Sequence, residues 1–412
     1  MMKRFFRRTR LAVALLVTIL AVMFHVRWYQ PVGTAQRITK GELAQLQFLR
    51  NQLSAGAAQK AQRHFPEGYF FLNVLYGLSW AQVARENPNL TATALAEMHT
   101  ALANLESAEG TAPFFAIHSP RLGVFHAGWT NWLRGLIIRV DPAFNLTLLD
   151  QFNQGCTDLA AAFDRADTPF LESYRNQAWP CDSVVAIAAL RLHDAIHNTD
   201  TYAPTIDRWL TAARNHLDPV TGLLPHRITP TFSPPRGTSQ SIIQRFLPEI
   251  DPTFANEQYL AFRKTFVAHQ LAMPAIREYP TGIRGPGDVD SGPLIFGISL
   301  SASIVAAGAA RIHNDSTLAD PIFQTCEAAG HPFTMNNAKR YAFGTVPVGD
   351  AFIVWSKLAA PWTTPTHTPP VNYPTATNWY WRLPLTAITL LLVGLLWLPL
   401  CRDRRTACKH AG

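Results

Sequence analysis

Apolar positions recur along this chain with a helical period. Ile206, Trp209, Leu210, Ala213 and Leu217 form one stripe, with Pro204 just inside its start, and Val184, Ala188, Leu192 and Ile196 fall at four-residue steps. Tyr259, Leu260, Phe266 and Val267 mark another helix after the Asp251-Pro252 turn. Alternating patterns are scarce, and Arg340 to Val346 and Ala351 to Val354 are the short strand candidates. Gly/Pro connections such as Asp218 to Gly222 and Gly282 to Gly287 break the helices. The pattern predicts an all-α domain of about ten to twelve helices, stacked as hairpins in a solenoid or a closed toroid. No fixed sequence period appears, which argues against regular repeats.

Two runs are apolar on every side. Leu11 to Phe24 follows a basic cluster and suits a signal-peptide core or a short anchor; without an A-x-A pattern after it, we read residues 11–29 as an uncleaved transmembrane signal anchor. Leu383 to Cys401 carries no charge, is entered by Trp379, Tyr380 and Trp381, and is followed by Arg402, Arg404 and Arg405, so residues 380–401 read as a second span. Pro293 to Ala310 also lacks charge. Its many Gly, Ser and Ala residues, and the opposite orientation a third span would force on the two basic ends, make it a buried soluble helix.

Composition sharpens this layout. The chain has 412 residues, 48% of them hydrophobic and 16% charged, with 30 Pro, 23 Gly and 5 Cys, which excludes disordered, collagen-like and disulfide-stapled classes. Its net charge of +8 suggests nucleic acid until it is located. Nine of the 36 basic and one of the 28 acidic residues sit in the first ten and last eleven positions, so the body holds 27 of each. The excess therefore belongs to cytoplasmic segments 1–10 and 402–412. By the positive-inside rule, both termini face the cytoplasm, the anchors lie in the inner (cytoplasmic) membrane, and residues 30–362 form an extracytoplasmic, periplasm-like domain. Residues 363–379, rich in Pro and Thr, are a linker. Three cysteines, Cys156, Cys181 and Cys326, fall in the outer domain, allowing at most one disulfide.

From Tyr202 to Arg311 the chain resembles a known family. The residues that carry the likeness are Trp209-Leu210, Asp218-Pro219 with Gly222, Ile250 to Ala255, Tyr259 with Phe262, Thr265-Phe266-Val267, Arg277-Glu278 and Asp288 to Gly292, with Leu75 to Leu78 upstream. They are similar to the linalool dehydratase/isomerase family, in the six-hairpin α/α toroid class. The resemblance implies an α/α toroid whose inner helices surround a pocket, with Cys181 at the place of a pocket cysteine and Tyr76 near a pocket tyrosine. A second pocket cysteine has no counterpart, its nearest position being Glu172. Trp129 stands in place of the pocket histidine, and the pocket aspartate has no match.

Four acidic sites lie among Gly, Pro and aromatic residues: Glu67, Asp182, the Asp288/Asp290 pair and Asp350. Carboxylates that converge near aromatic rings suit glycoside cleavage, where one acid protonates the leaving oxygen and one base or nucleophile stays ionised. The plainer readings are helix capping by Asp182, Ser183, Asp290 or Ser291, and backbone bonding by Glu67. Cys181, near a helix start, is a candidate acid, base or nucleophile with a dipole-lowered pKa, against an inert thiol or a disulfide with Cys156. His193 and His197 could present two nitrogens to a metal, but without an HExxH acid we expect none. His64, His118, His126 and His226 are separate acid/base candidates. Tyr69, Phe70, Trp129, Trp132 and Trp179 are stacking platforms, prenyl-pocket walls or plain core, and Arg277, Arg284 and Arg311 would suit an acidic ligand. No P-loop, dinucleotide fingerprint or basic-aromatic stripe is present, so neither a nucleotide cofactor nor nucleic acid is expected.

Three functions follow from these residues. The first is a membrane-anchored hydrolase using pocket carboxylates (Glu67, Asp182, Asp288, Asp290) on a glycan-like substrate, with Tyr69, Trp129, Trp179 and Asp350 around it. The second, following the resemblance, is a lyase or isomerase on a small apolar alcohol with Cys181 and Tyr76 in its pocket. The third is a non-catalytic module that binds envelope glycan or a membrane partner.

Overall fold

Helix starts in this chain carry their own caps. Thr39 closes a capping box with Glu42, and the side chains of Asn145, Asp251, Ser299 and Asp315 each accept a first-turn backbone N–H. The computed structural model describes residues 2–30, 38–114, 119–141, 143–363 and 373–409. His118 and most of the expected linker lie outside the described residues.

In chain order the helices are α1 (Met2–Tyr29), α2 (Lys40–Ser54), α3 (Ala57–Gln62), α4 (Gly68–Glu86), α5 (Thr91–Glu106), α6 (Ala108–Thr111), α7 (Gly123–Val140), α8 (Leu146–Arg165), α9 (Pro180–His197), α10 (Ala203–Arg214), α11 (Gly237–Ile250), α12 (Pro252–Phe266), α13 (Leu300–Ile312), α14 (Ser316–Ala329), α15 (Pro347–Lys357) and α16 (Leu383–Lys409). Two antiparallel hairpins, β1 (Val267–Gln270) with β2 (Met273–Ile276) and β3 (Phe333–Met335) with β4 (Ala338–Arg340), are the paired strands among the described residues.

The strand expectations fall elsewhere. Ala351 to Val354 lies inside α15, which Pro347 opens at a first-turn position, and of Arg340 to Val346 only Arg340 is strand, at the end of β4, with a 3-10 turn at Ala342–Gly344 after it. Short apolar runs carry no decisive period, and here the apolar residues of α15 are buried on a helix instead. The run from Pro293 turns helical only at Leu300, and its helix is buried from Ala302 to Ala310.

Six helices pack in succession: α4 against α7, α7 against α9, α9 against α11, α11 against α13, α13 against α15, and α15 against α4. The others lie outside them, α5 and α8 on α7, α12 on α11, α14 on α13 and α2 on α15. Helices buried nearly all round, as α4 is from Gly68 to Ala84, need close neighbours. Glycine permits the approach at Gly128, where a Cβ would stand 3.0 Å from the Ala186 backbone nitrogen of α9.

Two helices are long and apolar enough to cross a membrane, Phe5–Tyr29 and Leu383–Leu400, with mean hydropathy 2.1 and 2.2. They pack antiparallel. Tyr29 Oη lies 3.0 Å from Thr386 Oγ1, and the Trp397 indole donates to Thr18 Oγ1 at 2.9 Å.

Candidate active site

A cavity of about 350 Å³ opens at the N-terminal ends of the six successive helices, each of which contributes wall. Phe71 comes from α4, Phe125 and Trp129 from α7, Ile242 from α11, Val305 from α13 and Phe352 from α15. Polar groups enter from four of the six: Glu67 before α4, Tyr174 in the loop before α9 with Cys181 and Asp182 in its first turn, His226 before α11 with Ser239 in its first turn, and Asp290 in the loop before α13.

Asp182 is buried, and its carboxylate accepts the Ser173 hydroxyl at 2.5 Å and the Cys181 thiol at 3.7 Å. It caps no helix, since the cap position of α9 is Trp179. Burial drives its pKa up to about 7, and the charges of Glu67 and Asp290 add to the rise against the Ser173 and Cys181 hydrogen bonds. Asp290 lines the cavity and is exposed to solvent. Desolvation, then Asp288, then Glu67 raise it to about 6, and among the described residues its carboxylate accepts no hydrogen bond. Glu67 precedes α4 without a capping bond and accepts the Tyr174 hydroxyl. Burial first, then Glu67, pushes the Tyr174 phenol upward and keeps it protonated.

Cys181 lies in the cavity wall as a free thiol, and Cys156 and Cys326 are free as well. The helix start does not activate it. Burial, followed by Asp182 and Asp290, raises the thiol well above its ordinary value, so it is a proton donor and not a thiolate. His226 lies 3.0 Å from Ser239 Oγ, and burial lowers its pKa to about 3, leaving it neutral. The buried Trp129 indole N–H has no hydrogen-bond partner among the described residues, and Trp179 stands edge-on to Tyr174 at 5.6 Å.

The structure separates the remaining site residues from this cavity. Asp288 organises the neighbouring loop: Oδ1 accepts the backbone N–H of Asp290 and Ser291 at 3.1 and 3.0 Å, and Oδ2 takes Arg236 at 2.5 Å. Burial would raise its carboxyl, but the Ser291 and Arg236 bonds prevail and lower it. Asp350 points away from the lining and accepts Tyr341 N–H at 3.0 Å and Gln45 Nε2 at 3.3 Å; burial raises it to about 7. Tyr76 faces α5 and donates to Glu97 at 2.7 Å, and Tyr69 is buried in the core. His126 bonds the Leu105 carbonyl at 3.2 Å in the core, and burial lowers it to about 4. His64, Arg277, Arg284 and Arg311 lie outside the lining. The His193 and His197 rings lie 4.3 Å apart, tilted by 40°, with Asp194 beside His193, and no group of three or more His, Cys, Asp or Glu among the described residues is placed to hold a metal ion.

Ser173 and Tyr174 were not singled out in the sequence. The signal that could have found them is local: both lie on the segment running into Trp179-Pro180, and so reach the same helix start as Asp182. No family model matches this chain, and no curated protein matches it.

Proposed function

We propose that this protein is a membrane-tethered α/α-toroid enzyme that removes or shifts water on a small, largely apolar alcohol by acid–base chemistry, the lyase/isomerase reading. The closed succession α4, α7, α9, α11, α13, α15 with helices outside it supports the toroid. The observation that carries the chemistry is the pairing of a Phe, Trp, Val, Leu and Ile wall with two cavity carboxylates at different pKa values, about 7 for Asp182 and about 6 for Asp290. In this reading protonated Asp182 gives its proton to the substrate hydroxyl as the C–O bond breaks and water leaves. Ionised Asp290 takes the proton from the adjacent carbon, whose C–H electrons form the new double bond. Cys181 and Ser173 hold Asp182 in place.

A sugar ring asks for hydrogen bonds around its rim, and most of this wall is apolar, so the glycan-like substrate ranks below the alcohol. A purely binding module would leave its carboxylates engaged as caps, yet Glu67, Asp182 and Asp290 cap no helix. The antiparallel pairing of α1 and α16 supports both termini on one side of the membrane, with the basic ends in the cytoplasm and the cavity domain outside.

The test is conversion of a tertiary allylic alcohol, with linalool as probe, by the full chain in vesicles, followed by gas chromatography. Alkene formation that falls about 100-fold or more in Asp182→Asn and Asp290→Asn is expected. Hydrolysis of an oligosaccharide with no alcohol turnover, or full turnover in both variants, would overturn the proposal.

A further inference from the structure

The end of the domain that holds the cavity is also the end at which the two membrane-length helices join it. α13 starts at the cavity, and α14 runs back along it, so the last turn of α14 returns to the cavity end. There Trp28 and Trp381 pack around Ala328, with Met273 of β2 against them. β2 is tied to the same end, since Ser299 N–H donates to the Ile276 carbonyl and Glu278 N–H to that of Gly297, each at 3.0 Å. Arg27 adds a bond to the Pro332 carbonyl at 2.7 Å.

Exposed apolar side chains follow the same polarity. Phe296 is 81% exposed, Phe343 76% and Leu300 60%, and Phe232, Leu271 and Met335 join them in the loops and turns of the cavity end. At the opposite end, where α7 leads to α8, the large exposed apolar side chains among the described residues are Phe144 and Leu146. Val289, Leu300 and Val346 belong both to the cavity wall and to the exposed set, so exposed apolar side chains reach the cavity itself. Exposed apolar side chains gathered at one end of a domain mark an interaction surface, and helices that leave from that end into a bilayer bring lipid against it.

We propose that the cavity end of the domain rests on the membrane, with Phe296, Phe343, Leu300, Leu271 and Met335 in the lipid interface, and that the cavity takes its alcohol directly from the bilayer. The identity of the occupant as an alcohol rests on the function proposed above. The docking surface stands on its own.

The experiment uses the full chain in vesicles of phosphatidylcholine and phosphatidylglycerol, with photoreactive p-benzoylphenylalanine replacing Phe296, Phe343, Leu146 or Leu391 in turn. Mass spectrometry then counts lipid adducts. Yields at Phe296 and Phe343 comparable with that at Leu391 of α16, and several-fold above that at Leu146, are expected. Yields at Phe296 and Phe343 no higher than at Leu146, with Leu391 labelled, would overturn docking whatever the chemistry. Asp182→Asn carries the independent arm: it leaves the adducts unchanged even where turnover is lost. For uptake, the double variant Phe296→Ser, Phe343→Ser should convert vesicle-borne linalool several-fold more slowly than wild type and detergent-dispersed linalool at the wild-type rate. Equal rates from vesicles would overturn loading from the bilayer.

Discussion

The Ser173 hydroxyl donates to the Asp182 carboxylate across 2.5 Å, inside the wall of an apolar cavity. That bond favours the ionised carboxylate, but burial outweighs it, and Asp182 keeps its proton up to about pH 7. A carboxylic acid held neutral beside a carboxylate that ionises lower is the arrangement on which the proposed chemistry depends.

The same shift sets a stability trend. Because the folded-state pKa of Asp182 lies above its ordinary 3.8, the folded protein binds this proton more tightly than the unfolded chain, and stability falls as pH rises from about 4 to about 7. In Asp182→Asn this contribution is gone. Relative to wild type, the variant should gain on the order of a few kcal/mol between pH 4 and pH 8. Denaturant titrations of both proteins at the two pH values measure it, and a pH-independent difference would remove the buried acid from the account.

Cys181 sits in the first turn of α9 but faces Asp182 and Asp290, and its thiol is held well above the ordinary range. Iodoacetamide at pH 7 should therefore modify Cys181 far more slowly than a free thiol in a peptide, with rapid modification only after unfolding. Peptide mapping by mass spectrometry follows the adduct. Fast labelling of the folded chain would mean that the helix start, and not burial, governs this thiol.

Tyr76 and Glu97 form a pair outside the cavity, with Arg50 3.0 Å from Glu97. Tyr76→Phe removes one buried hydrogen bond, so a stability loss of about 1–2 kcal/mol is expected, with turnover unchanged. Equilibrium unfolding and the alcohol assay together check this. A variant that keeps its stability and loses its activity would return Tyr76 to the pocket that the family resemblance implies for it.

At Gly128 an added methyl would press on the backbone of Ala186, a contact with no flexible side chain to yield. Gly128→Ala should cost about 1–3 kcal/mol in urea unfolding. At Gly394 of α16 an added Cβ meets nothing within 4 Å beyond its own helix among the described residues, and Gly394→Ala should leave the transition of the domain in place.

The fold was legible where one element explains itself. The Val184 to Ile196 steps became α9, the Pro204 start became α10, and the Asp251-Pro252 turn became the cap of α12. Partnerships that need tertiary closure were not legible. Tyr174 meets Glu67 across 107 positions of sequence, and nothing local announces that distance. Asp350 and Asp182 look alike in sequence, each beside Gly or Pro near a helix start. On α15, however, Gly349 and Phe352 face the cavity, while Asp350 turns to Tyr341 and Gln45. The β1/β2 hairpin was hidden because Val267 continues the apolar pattern of α12 for one residue after the helix has ended at Phe266.

The most direct measurement is the pH dependence of kcat/KM for alkene formation by the full chain in vesicles. The active form needs Asp290 ionised and Asp182 protonated, so the rate should rise through about pH 6, fall through about pH 7 and peak narrowly between them. A rate that stays flat through both values, or that keeps rising on the alkaline side, would contradict acid–base catalysis by this pair.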